Sequence, residues 1–374
     1  MTMPGRIPMH DEIAQRLTRF RHALVSSGID TAIVGPSADF RYLTGHPAAS
    51  SERLLALVVP QAGETFLLVP ELESTRFSET SPFSLRTWKD GEDPIRLLAA
   101  HLEHLGVGTI GVNDEFWAAF LLPLQAALPT RHFTRVSPIL QALRRIKSAT
   151  EIALVREAVA RVDAAWQRFC ASEHLTGRTE RQVARRLTEL LLEEGLDHVA
   201  FCIVASGPHA ASPHHEPTDR IIQAGDPVVI DVGGPYHGYF ADLTRTPVAG
   251  SLADPDFATA YEAVLEAQQA AFAAMRPGAS CEQIDRIARD VLATHGLAEA
   301  FLHRLGHGLG LSVHEPPYLV QGNPERLEPG MIVTDEPGVY LRGRWGLRIE
   351  DVVLITAEGA ERLTRAPHEL LALP

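Results

Sequence analysis

The chain runs to 374 residues, more than a single hydrophobic core usually organises, so about two domains are expected. Its formal net charge of -13 argues against nucleic acid as a partner, because phosphate binding needs a basic face. Three widely separated cysteines, Cys170, Cys202 and Cys281, support no disulfide framework, no run reaches the roughly 18 apolar residues of a membrane span, and no signal-type segment opens the chain, so the protein reads as cytoplasmic with no membrane partner.

From Asp11 to Ser27 the apolar positions Ile13, Leu17, Phe20 and Leu24 share one helical face, and Gly28 follows as a stop. A strand at 31–35 leads into SADFRYLTGHPAASSERLLALVV, which reads as a long polar loop before a strand at 54–59 and a hairpin partner at 65–70. A helix (PIRLLAAHLEHLG), a strand (TIGV) and a further helix (EFWAAFLLPLQAAL) complete an alternation that predicts an α/β domain over residues 1–143. At RRIKSATEIALVREA the texture changes to long helices, and a second domain covers 144–374. Ser148 with Glu151, and Thr179 with Gln182, form capping-box pairs ahead of two helices. A strand, AFCIVASG, and a His-rich loop come next, and two more helices are expected near 255–275 and 281–295.

The stretch VVIDVGGPYHGYFADLTRT, Val228 to Thr246, sets Asp231 and Asp242 on two strands joined by a Gly- and Pro-containing turn, so both can face one space. An ionised carboxylate in so apolar a setting is costly unless something positive compensates it. The layout recurs: Gly225 to Asp231 and Gly330 to Glu336 each span six positions, and the second segment returns through LRGRWG to RIEDVVLI with Glu350. Two like hairpins predict a pseudo-twofold pair of sheets facing one centre. Four carboxylates there would repel one another unless cations intervene, and two ions sharing bridging acids suit that number better than one. His307, in GHGLGLSVHE, adds one nitrogen to an oxygen-rich set that suits Mn, Co, Zn or Fe.

Asp231, Asp242, His307, Glu336 and Glu350, each within its own motif (among them GHGLGLSVHE, TDEPGVY and GLRIED), resemble the ligands of the pita-bread metallopeptidases, in particular the prolidase and aminopeptidase P branch. The resemblance implies an α/β creatinase-type N-terminal domain and an α+β pita-bread (creatinase/aminopeptidase-like) catalytic domain. It makes Asp242 and Glu350 bridging ligands of two divalent ions (Mn, Co or Zn), with Asp231 on one ion and His307 with Glu336 on the other. Glu336 would also shuttle a proton, and His214 and His314 would contact the oxyanion or the substrate backbone. Thr244 is placed to orient a ligand. Arg348, two residues before Glu350, would share its face and meet an acid or the substrate.

The implied activity is hydrolysis of Xaa-Pro bonds in proline-containing di- or oligopeptides, by a homodimer. The compact chain points to an Xaa-Pro dipeptidase; aminopeptidase P action on longer peptides, or a non-peptide C–N hydrolase, is the alternative. A non-catalytic peptide-binding protein would not keep all five ligands. One position departs from the pattern: Tyr318 stands where the best-known prolidases place an arginine for the substrate carboxylate. Arg53, at the end of the 44–53 loop, is the expected replacement, in its own pocket or a partner's, with Arg41 as competitor.

Overall fold

Apolar runs too short for helices but fully buried form the central strands of the first part of the chain. The computed structural model describes residues 9–47, 49–78 and 82–374, and the chain divides into two units, Met1–Arg144 and Arg145–Pro374. In the first, α1 (Met9–Ser26) is followed by β1 (Thr31–Val34), α2 (Ala38–Thr44), β2 (Ala56–Pro60), β3 (Phe66–Pro70) and α3 (Thr75–Ser78). Then come β4 (Ser84–Trp88), α4 (Pro94–His104), β5 (Thr109–Val112), α5 (Ala118–Ala127), β6 (His132–Arg135) and α6 (Ser137–Arg145). The strands form one mixed sheet in the order β4-β3-β2-β1-β5-β6. Every residue of β1, β2 and β3 is buried, the pattern of central strands covered on both faces.

The polar loop expected before residue 54 is shorter than predicted, because its first part is the helix α2. Ser37 caps it by accepting from the Phe40 N–H, and Gly45 closes it in the left-handed region at φ 74. Asp39 on this helix is buried and pairs with Arg144 at 2.7 Å. β4 and β6 carry no alternating signal because they lie at the sheet's two edges, half exposed.

The second unit begins with two long helices, α7 (Ala149–Ser172) and α8 (Glu180–Glu193), whose capping boxes at Ser148/Glu151 and Thr179/Gln182 are both formed. β7 (Phe201–Ser206), β8 (Val228–Tyr236) and β9 (Tyr239–Arg245) make a three-stranded antiparallel sheet. β10 (Val248–Ala249), α9 (Pro255–Ala274) and α10 (Cys281–Thr294) follow. β11 (Gly306–Gly308), β12 (Glu315–Leu319) and β13 (Ile332–Asp335) belong to a five-stranded sheet with β16 (Asp351–Ile355) and β17 (Ala360–Arg362), ordered β12-β11-β13-β16-β17. Between them β14 (Gly338–Leu341) pairs with β15 (Trp345–Arg348), and β18 (Ala372–Leu373) returns to β10.

The second hairpin therefore differs from the first. β8 and β9 run unbroken through their acids, whereas the later arms change partners at Glu336–Pro337 on one side and Ile349–Glu350 on the other. Pro337 has no N–H to donate to a continuing ladder, so the strand breaks there. The two sheets join where Glu350 N–H donates to the Thr244 carbonyl at 3.1 Å. Behind that joint the buried Arg245 guanidinium donates to the carbonyls of Thr244 and Glu350 at 2.8 and 2.7 Å, and pairs with Asp351 at 2.8 Å.

Candidate metal centre

Strand register sets the first pair of acids. Asp231 lies opposite Thr244 and Asp242 opposite Gly233, so the two carboxylates are diagonal neighbours on one face. Glu350 reaches the same face through the inter-sheet joint, and Glu336 follows the last residue of β13. His307 occupies the centre of β11, and its flanking glycines explain the GHG motif. A Cβ at Gly306 would fall 2.1 Å from the Thr334 carbonyl oxygen, and one at Gly308 2.5 Å from that of Glu315, so the strand can approach its neighbours only without side chains there. His307 Nδ1 lies 3.1 Å from the Gly308 carbonyl, an arrangement that leaves Nε2 facing the acids, 3.2 Å from Glu336 Oε1 and 3.8 Å from Asp242 Oδ2.

These five residues line one cavity of about 650 Å3, together with His214, His303, Arg304, His314, Arg348 and apolar residues including Phe201, Ile203 and Val313. Arg348 is buried and fully engaged: it donates to Asp231 Oδ2 at 2.5 Å, to the Tyr340 hydroxyl at 2.6 Å and to Thr244 Oγ1 at 3.0 Å. Thr244 in turn donates to Glu350 Oε2 at 2.5 Å. His314 packs edge-on against His307, with ring centroids 4.2 Å apart.

Burial drives the acids apart in acidity. It pushes Asp242 and Glu350 well above the usual carboxylate range, and repulsion from neighbouring acids adds to this. Burial also raises Asp231, against the pull of Arg348. Glu336 pays the same desolvation, but His307, His303 and Arg348 outweigh it and hold its carboxyl down at about 2. Burial, reinforced by His307 and Arg304, pushes the His314 imidazole down to about 4, so it is a neutral hydrogen-bonding group at neutral pH.

The residues fit a divalent metal. Ligand atoms of Asp242, His307 and Glu350 all lie within 4.8 Å of one another, and the buried Asp231 Oδ1 has no hydrogen-bond partner among the described residues. A carboxylate oxygen stripped of water and of donors is the atom a cation would satisfy. A second group, Glu180, His209 and His215, is as close, but it is a clasp. Glu180 is buried at the start of α8 and accepts from Ser206 and Thr218, each through N–H and hydroxyl, at 2.7–3.0 Å. The rings of His209 and His215 approach it at 3.1 and 3.0 Å. Burial would raise Glu180, yet these donors hold it at about 2, and with them they hold the loop that delivers His214 to the cavity.

A model of metallopeptidase family M24 matches residues 153–357, and one of the creatinase/prolidase N-terminal domain matches residues 16–146. The chain belongs to metallopeptidase family M24. The expected fold class, an α/β creatinase-type domain with a pita-bread catalytic domain, is thereby borne out. The chain is 45% identical over 367 residues to the probable dipeptidase PepE of Mycobacterium tuberculosis, covering 96% of each. It is 34% identical to the Xaa-Pro dipeptidase of Pyrococcus horikoshii, covering 96% of this chain and 100% of that one. Among solved structures, recombinant prolidase from Thermococcus sibiricus superposes with a TM-score of 0.93 at 35% identity, with full coverage of both chains. Membership of M24 implies use of divalent metal, and the acids and histidine of the cavity are the candidate ligands.

Two of the remaining expectations concern cations and one a ring. Arg53, in the first unit, pairs its guanidinium with Asp90 at 3.0 Å and Glu52 at 2.6 Å. Arg41 is half-buried on α2. Tyr318, opposite His307 in the ladder, carries the Arg304 guanidinium 4.4 Å above its ring. Tyr340 joins Arg348 and His303 through its hydroxyl, at 2.6 and 2.9 Å. His303 and Arg304 were not singled out from the sequence. Their signal is position, since HRLGHG sets two polar residues just ahead of His307.

Proposed function

We propose that this chain is an Xaa-Pro dipeptidase that holds two divalent ions, Mn, Co or Zn, through Asp231, Asp242, His307, Glu336 and Glu350. The observation that carries it is the meeting of these five side chains in one cavity, where Asp231 Oδ1 lacks a partner and the acids crowd one another. The relatives named Xaa-Pro dipeptidase, prolidase and dipeptidase support the substrate class. Two divalent ions there supply a water that ionises near neutral pH and a charge that polarises the scissile carbonyl.

The chain's own residues do the rest. Asp242 and Glu350 would hold the ions together with Asp231, His307 and Glu336, while Arg348 and Thr244 fix the orientations of Asp231 and Glu350. Glu336, ionised in the resting site, takes the proton of the attacking water and gives it to the proline nitrogen, a poor leaving group until protonated. His214 and His314 hydrogen-bond the tetrahedral oxyanion and the substrate backbone. The same reading places the enzyme in the cytoplasm as a homodimer; no helix among the described residues is long and apolar enough to cross a membrane.

Purified protein stripped with EDTA and titrated with Mn, Co or Zn should bind two equivalents and then cleave Xaa-Pro dipeptides faster than Xaa-Pro tripeptides or non-proline dipeptides. A loaded protein that cleaves no Xaa-Pro substrate refutes the proposal.

A further inference from the structure

The cavity contains two arginines, and their situations are opposite. Arg348 is buried and spent on Asp231, Tyr340 and Thr244. Arg304 is half-buried and lines the same cavity, yet no carboxylate of the described residues comes within ion-pair distance of it. What it has is a platform: its guanidinium carbon sits 4.4 Å from the centroid of the Tyr318 ring. A guanidinium stacked on an aromatic face uses that face alone, so its in-plane N–H groups stay free, in the forked geometry that fits a carboxylate.

Both ends of this arrangement are held. Tyr318 is fixed by its ladder pairing with His307 and by Asn323, which donates to its carbonyl at 2.7 Å. The Arg304 carbonyl lies 2.7 Å from His303 Nδ1. In a chain whose formal charge is -13, and in a pocket with four acids, a pre-oriented arginine without an acid partner points to an anionic part of the substrate. In a dipeptide that anion is the terminal carboxylate, only about 4 Å from the scissile carbonyl carbon, so its anchor must stand beside the reacting groups. Arg304 does, three residues before His307 and on the cavity wall.

We propose that Arg304, oriented by Tyr318, recognises the C-terminal carboxylate of the dipeptide substrate and so restricts the enzyme to dipeptides. This rests on the Xaa-Pro dipeptidase reading above. Peptides with a further residue present a neutral amide where the fork expects a charge, and lose the charge-assisted pair of hydrogen bonds.

The test compares Xaa-Pro with Xaa-Pro-amide on the Mn-loaded wild-type protein and on Arg304→Ala, Arg304→Gln and Tyr318→Leu. Wild type should favour the free acid by about 10- to 100-fold in kcat/KM, the range a charged hydrogen-bonded partner supplies. Arg304→Ala and Arg304→Gln should lose that preference, with the loss falling mainly on KM for the acid and with Mn binding by calorimetry unchanged. Tyr318→Leu should lie between. If the Arg304 variants lose activity on acid and amide equally, or keep the preference, the anchor is overturned while the dipeptidase reading stands. A wild type inactive on both substrates overturns the reading and the anchor with it. Arg304→Gln preserves bulk and polarity, so the comparison survives a folding defect in the alanine variant.

Discussion

Replacing Arg348 with Met keeps the length of the side chain and removes the guanidinium shared by Asp231, Thr244 and Tyr340. In the metal-free protein Asp231 would then have neither oxygen bonded, since Oδ1 already lacks a partner, and the neighbouring acids would lose their adjacent buried cation. Removing one member of a buried ion pair costs about 3–5 kcal/mol. The lower end applies here, because Asp242 and Glu350 already sit well above the usual carboxylate range and can take up protons. At about 2–4 °C per kcal/mol for a unit of this size, Tm in EDTA should fall by roughly 6–12 °C at pH 7.5.

The same argument fixes two dependences. Loss of Arg348 raises the folded-state pKa of Asp231 further, so the variant binds more protons when folded; its deficit is full at neutral pH and shrinks as pH falls toward the ordinary carboxylate range. Divalent ions restore positive charge to the same acids, so saturating Mn should close about half of the gap. Differential scanning calorimetry of both proteins, in EDTA and in Mn, at pH 7.5 and pH 5, measures all of this. A fall of under about 2 °C in EDTA, or a gap indifferent to both metal and pH, would refute the view that Arg348 is there to compensate the acids.

Glu180→Gln should cost about 3 kcal/mol at pH 7, from the fall of its carboxyl from 4.5 to about 2. Because the folded pKa is depressed, that contribution is present above 4.5 and disappears as pH drops toward 2, so urea midpoints of wild type and variant should converge in acid; the loosened loop should also lower kcat through His214. Asp335 is the opposite case: buried with neither oxygen hydrogen-bonded among the described residues, it is pushed well above the carboxylate range by burial and by Asp351. Its ionisation in the folded state is therefore a penalty that grows above the unfolded pKa, and Asp335→Asn should raise Tm by a few degrees at pH 7 and by nothing near pH 3. Equal Tm values at pH 7 would refute that account.

What could be read from the sequence follows the physics of each segment. Asp231, Asp242, His307, Glu336 and Glu350 stand out because an acid or a Gly-flanked histidine at an apolar strand is a local contradiction, visible without any fold. They do lie around one cavity. Capping boxes were equally legible, since both partners are three residues apart. The helix α2 was not, because ADFRYLT is short and polar and its inward face includes Asp39, whose partner Arg144 is 105 residues away. Nor was the partner change in the second hairpin, which depends on how Pro337 ends one ladder while the Thr244 carbonyl captures Glu350. Tyr340 and Arg304 escaped for the same reason: their roles are set by neighbours, Arg348 and Tyr318, brought in by other strands.

The protein compensates its buried acids unequally, and the inequality is informative. Asp231 has Arg348, and Glu336 has His307, His303 and Arg348, enough to keep it ionised against burial. Asp242 and Glu350 face mainly one another and the other acids, and Glu350 receives only a neutral hydroxyl from Thr244 at 2.5 Å. A hydroxyl orients a carboxylate without neutralising it. The two acids with least help from the chain are therefore those for which an external divalent charge is worth most, and they share ligand distance with His307. That inequality supports the proposed reading, taken from the family resemblance, in which Asp242 and Glu350 would lie between the ions and Asp231 and Glu336 would each complete one.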